Sequence, residues 1–175
     1  EYVSRKFIKD ADLDEAEKIY NSIEFRNIFK EKSELEPLLY HLKGQLYKRK
    51  FDLLNEKSAN TLEAEHKLLT KSKEYYEKSL VLESDNAQTF GNIVVVLIEL
   101  YKNESAQKMP AKSYLSEAQR YLEKQKRISE KNRRYSVTYH YWWDCARVEF
   151  YLREHENRIQ NKTKDQVEWD SAFIN

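Results

Sequence analysis

Residues 71–97 read KSKEYYEKSLVLESDNAQTFGNIVVVL, and this stretch decides the fold. Tyr75, Tyr76, Leu80 and Leu82 recur at the three-to-four spacing of a helix face. A polar corner, Ser84-Asp85-Asn86, interrupts them. Phe90, Ile93, Val94 and Leu97 then resume the same spacing, so the stretch predicts two helices meeting at a short turn. Short connections make consecutive helices antiparallel neighbours. A lone hairpin of that kind leaves one apolar face wet, and stacking successive hairpins covers it.

Composition agrees with an all-helical chain. Only two glycines and two prolines occur in 175 residues, against average usage of about 7% and about 5%, so turn-rich β architectures lack their punctuation. Charged residues make up 35% and hydrophobic ones 40%, the balance of amphipathic helices with charged outer faces. The 31 basic and 30 acidic side chains leave a net charge of +1, weak for a general polyanion binder. A single cysteine, Cys145, excludes an intrachain disulfide and a cysteine-rich zinc site. With no signal-peptide pattern at the start, it favours a cytoplasmic setting. The apolar run from Ile93 to Ile98 falls far short of the ~20 residues that span a bilayer, so no membrane insertion is expected. A chain opening on Glu1 rather than Met is expected to be a processed protein or a piece of a longer one.

Working outward, Glu1 to Lys9 reads as the tail of a helix. Asp12 with Glu15 forms a capping pair before a helix burying Leu13, Ala16, Ile19, Tyr20 and Ile23. Ser33 with Glu36, followed by Pro37 in the first turn, opens a long helix reaching Leu54. Asn60 with Glu63 and Asp85 with Gln88 are the next two capping pairs, opening helices that end near Leu82 and Tyr101. Lys102 to Met109 reads as a loop, Tyr114 to Ile128 as a helix, and Tyr135 to Arg158 as a last helix before a solvated break at Asn161 to Asp165. The expected division is one helical domain over 1–160 and a tail or capping segment over 161–175.

These residues resemble the tetratricopeptide repeat family, a helix-turn-helix unit of about 34 residues. Ser72, Tyr76 and Ser79 followed by Ser84-Asp85-Asn86 match its second helix and corner, and Leu13-Asp14-Glu15-Ala16 with Tyr20 matches more loosely. Tyr40, Gly44 and Tyr47 match its first helix, whereas Phe90, Val94 and Leu97 match only in hydrophobicity. Val94 in place of a small residue predicts a wider crossing there, and Gln125 stands where the family has a small side chain. The resemblance implies a right-handed α-solenoid of about three antiparallel hairpins plus a terminal helix.

It also implies a non-catalytic scaffold or adaptor module that binds a peptide or helix of a partner protein on a concave surface lined by the first helix of each hairpin. Here that surface would offer His41, Gln45, Lys48 and Arg49 from one helix and Gln88, Asn92 and Glu99 from the next. A different reading rests on Arg127, Arg133, Arg134, Tyr135 and Tyr139, since cations beside stacking rings are ingredients of single-stranded nucleic-acid recognition. A structural spacer in a larger assembly is a third. No cofactor, metal site or catalytic residue is assigned: His140, Asp144, Cys145 and His155 have loose helical spacing but form no metal signature, and no phosphate loop or nucleophile elbow occurs. The triplets at Asn103 and Asn161 read as chance matches to the glycosylation pattern.

Overall fold

The computed structural model describes residues 13–56, 61–106, 111–131 and 139–173. They form seven α-helices: α1 (Leu13–Asn21), α2 (Ile23–Glu31), α3 (Glu36–Glu56), α4 (Leu62–Leu82), α5 (Ala87–Ala106), α6 (Lys112–Lys131) and α7 (Tyr139–Phe173), with a 3-10 turn at Ser33–Leu35. No strand occurs among them, so the protein is all-α. None of these helices is long and apolar enough to cross a membrane. The expected helix over Glu1 to Lys9 and the Asp12 cap fall outside the described residues.

Several boundaries differ from the sequence expectation, each for a local reason. The first helix does not run through Ile23: Ser22 takes an extended backbone and its Oγ accepts from the Phe25 N–H at 3.2 Å, which starts α2. Thr61, not Asn60, caps α4, its hydroxyl accepting from the Ala64 N–H at 3.3 Å. Asn86, not Asp85, caps α5, its Oδ1 accepting from the Thr89 N–H at 3.0 Å. The polar residues after Tyr101 continue α5 to Ala106, because Asn103 is buried and donates to the Leu62 carbonyl and to Glu65, both at 3.0 Å. That burial makes Asn103 a structural anchor. The break expected at Asn161 to Asp165 is absent, since α7 runs unbroken to Phe173.

Contacts give the register. Ser72 Oγ donates to the Gly44 carbonyl and Ser79 Oγ to the Pro37 carbonyl, each at 2.8 Å, so α4 ascends as α3 descends. Phe90 packs on Tyr121 near the start of α5, while Tyr114 OH donates to Glu104 at its end, making α5 and α6 antiparallel too. Lys73 with Glu117 and Tyr121 with Glu77 run in the same order along α4 and α6, so these two second helices are parallel. Glu99 with Arg147 and Tyr101 with Tyr151 set α7 parallel to α5.

The main core is α5's. Ile93, Val94, Val96, Leu97 and Ile98 are fully buried, and Leu69, Tyr76, Ala118, Leu122 and Val148 close around them from α4, α6 and α7. A second cluster joins Leu13, Ala16 and Tyr20 of α1 to Leu42 and Leu46 of α3. Each leucine, isoleucine or valine among them contributes about 1.5–3 kcal/mol by leaving water. Ion pairs trim the α1–α3 edge: Lys50 holds Asp14 and Glu17, and Tyr47 OH donates to Glu17.

Candidate functional site

Helix α3 turns His41 and Gln45, one turn apart, toward α5, which presents Thr89 and Asn92. His41 Nδ1 lies 2.8 Å from Thr89 Oγ1. Its Nε2 faces two side-chain amide nitrogens, Gln45 Nε2 at 3.0 Å and Asn92 Nδ2 at 3.5 Å. With donors on that side, the neutral ring accepts at Nε2 and donates from Nδ1 to Thr89. His41 is 6% exposed and Thr89 fully buried. Burial lowers the His41 pKa, opposed in part by the Glu83 carboxylate. The structure therefore gathers three of the expected binding residues, His41, Gln45 and Asn92, into one polar bridge between the hairpins, where their hydrogen-bonding groups face one another.

The other four lie apart. Lys48 pairs with Asp52 and sits over the Phe51 ring at 5.0 Å. Arg49 is half-buried and Gln88 exposed. Glu99 accepts from Lys102 at 3.1 Å and from Arg147 at 3.2 Å, which ties it to α7. Of the alternative basic and aromatic set, Arg127 is exposed on α6. Arg133, Arg134 and Tyr135 lie outside the described residues, as does the side chain of Tyr139. Asp144 pairs with Arg147 at 3.7 Å, and His155 meets the Tyr101 ring edge-on at 6.0 Å.

Sequence reasoning missed an open groove of about 630 Å³ where the last turns of α4 and α6 border the start of α5. Leu80, Phe90, Tyr121 and Ile128 form its floor, and Val81 stands at its lip. Val81 is 82% exposed and neighbouring Leu82 50%, so an apolar edge borders an apolar hollow. Lys124 and Arg127 line the α6 wall. Glu77, on the α4 wall, receives Tyr121 OH at 3.3 Å and Lys73 Nζ at 3.1 Å. Burial first, then the Glu77 and Glu117 charges, raises the Tyr121 pKa, so the phenol stays protonated and donating. The available sequence signal was the pair Val81-Leu82, two large apolar side chains crowded against a polar corner.

Compared with family models, curated proteins and solved structures, the chain matches none.

Proposed function

We propose that this chain is a non-catalytic protein-interaction module, a tetratricopeptide-like right-handed stack of antiparallel hairpins that docks a segment of a partner protein. The observation that carries the reading is the α4–α6 groove of about 630 Å³ with Val81 left 82% exposed at its lip. The hollow is open and lined largely by apolar side chains, and an exposed apolar side chain beside it is what a docked segment would cover. The parallel course of α4 and α6 supports the stacked arrangement, since successive second helices of a repeat array run alike. The inward-turned His41, Gln45 and Asn92 favour this groove over the α3–α5 face as the place of docking.

A photo-crosslinking residue in place of Val81, compared with one in place of exposed Glu63, tests the reading in cells that make the chain. Discrete protein adducts are expected from position 81 alone. Equal labelling from both positions, or adducts to nucleic acid only, would overturn it.

A further inference from the structure

The groove carries a charge pattern as well as a shape, and the pattern narrows what fits. Lys124 and Arg127 are exposed on the α6 wall, and no carboxylate among the described residues pairs with either. Lys126, beside them in sequence, has such a partner in Glu130 at 3.9 Å. Lys124 instead lies over the Tyr121 ring, 5.5 Å from its centre, which holds the ammonium at the edge of the apolar floor. The carboxylate lining the groove, Glu77, is already compensated by Lys73 and by the Tyr121 hydroxyl. Among the described residues, one wall therefore offers two cations with no carboxylate partner beside apolar side chains.

The far end differs. Ser84 lines the groove at the α4–α5 corner, and its neighbours Glu83 and Asp85 are both exposed. A continuous polyanion laid along the groove would meet those carboxylates and be repelled. A segment with acids on one edge only would not. The exposed Val81 at the lip, with Leu82 beside it, suits an apolar partner surface, which a phosphate backbone lacks.

We infer that the groove takes an amphipathic protein segment whose apolar face is flanked on one edge by Asp or Glu. The apolar face covers Val81, Leu80 and Ile128, while the acidic edge pairs with Lys124 and Arg127. Such charge-assisted hydrogen bonds are shorter and stronger than neutral ones. This assignment rests on the groove being a docking site and adds to it the chemistry of the occupant.

A random-peptide phage library selected on the immobilised full chain tests both levels separately. Enriched peptides are expected to carry large apolar residues at helical spacing with acidic residues on one side. Synthetic copies, followed by fluorescence anisotropy, should bind at least tenfold more weakly to the Lys124→Glu/Arg127→Glu chain and to the Val81→Asp chain. Both variants change exposed positions, and their circular dichroism and melting midpoints should match the parent. Groove-dependent peptides that are basic, or indifferent to the Lys124/Arg127 reversal, would overturn the acidic-segment inference while leaving the docking groove standing. Peptides indifferent to Val81→Asp, or no enrichment at all, would overturn both. So would tight, salt-dependent binding of single-stranded RNA that Lys124→Glu/Arg127→Glu abolishes.

Discussion

In the α3/α4 hairpin Gly44 lies under the ring of Tyr76, and in the α5/α6 hairpin Gly91 lies under the side-chain amide of Gln125. The two sites look alike in outline. A Cβ at Gly44 would come within 2.6 Å of Tyr76 Cδ1 and 2.9 Å of Cγ, whereas one at Gly91 would come 3.3 Å from Gln125 Nε2. A buried ring moves as a rigid plate, but an amide at the end of two rotatable bonds can swing aside. Around Gly44 the hairpin is further fixed by the two serine-to-carbonyl bonds and by the Tyr40–Tyr75–Tyr47 stack, whose members lie 6.3 Å and 5.4 Å apart. Around Gly91 the work falls to aliphatic volume, with Ile93, Val94 and Leu97 fully buried. One hairpin depends on shape, the other on the amount of apolar surface removed from water.

The largest expected effect tests the second half of that contrast. Leu97→Ala leaves a cavity in the middle of the main core and should cost roughly 2–5 kcal/mol, read by urea denaturation. A loss below about 1 kcal/mol would mean that α5 is not the element on which the hairpins converge.

Gly44→Ala comes next. Alanine is a better helix former by about 1 kcal/mol, yet the Tyr76 ring, 2% exposed, has little room to retreat, and overpacking of this kind costs about 1–3 kcal/mol. The difference is a net loss of up to about 2 kcal/mol. Adding Tyr76→Leu to Gly44→Ala should cost less than the sum of the two single changes, because the clash is already relieved. Additive losses in that double-mutant cycle would show that the ring and the glycine do not constrain each other.

How much of this was legible beforehand follows from the kind of interaction. Helix identity was readable because apolar spacing is local, and a close approach at Gly44 was readable because small side chains there and at Ser72 leave room for a large one such as Tyr76. Val94 was expected to widen the second crossing; it is buried in the main core with Ala118 and Leu122 of α6, and Gly91, one turn earlier, faces Gln125. The absence of a side chain at Gly91 leaves room for Gln125, which stands where a small residue was expected. The break at Ser22 was masked by Ile19 and Ile23, whose spacing suits one continuous stripe. The groove was illegible because α4 and α6 contribute walls from distant parts of the chain, and its charge pattern depends on which lysines find partners in space.

A smaller effect tests the polar bridge between the hairpins. Because burial lowers the folded-state pKa of His41, the unfolded chain takes up a proton there first as pH falls. Stability is then unaffected above about pH 6.5 and declines below it, until the folded-state histidine also protonates. Protonation would also place an N–H against the Gln45 and Asn92 amide nitrogens, forcing them to turn. Glu83 draws the other way, and Tyr76, packed edge-on at 5.5 Å, remains neutral throughout. Glu17 acts in a separate window: burial tends to raise its pKa, but the bonds from Lys50 and Tyr47 outweigh this and lower it. Its contribution is therefore lost only below about pH 4.5. Melting midpoints between pH 7.5 and 5 should fall more in the parent chain than in His41→Gln, and parallel slopes would remove His41 from the account.

The smallest expected change is Gly91→Ala, and its sign matters more than its size. Gln125 is 8% exposed, and its Oε1 has no hydrogen-bond partner among the described residues, so that oxygen does not hold the amide against the approaching Cβ. A shift of a few tenths of an ångström at the end of that side chain suffices. The helix-propensity gain of up to about 1 kcal/mol then survives, and the variant should be between neutral and about 1 kcal/mol more stable by urea denaturation. Opposite signs for Gly91→Ala and Gly44→Ala would establish that the two glycines differ in what they face, a rigid ring against a yielding amide. A loss at Gly91 as large as that at Gly44 would place both hairpins under the same steric constraint.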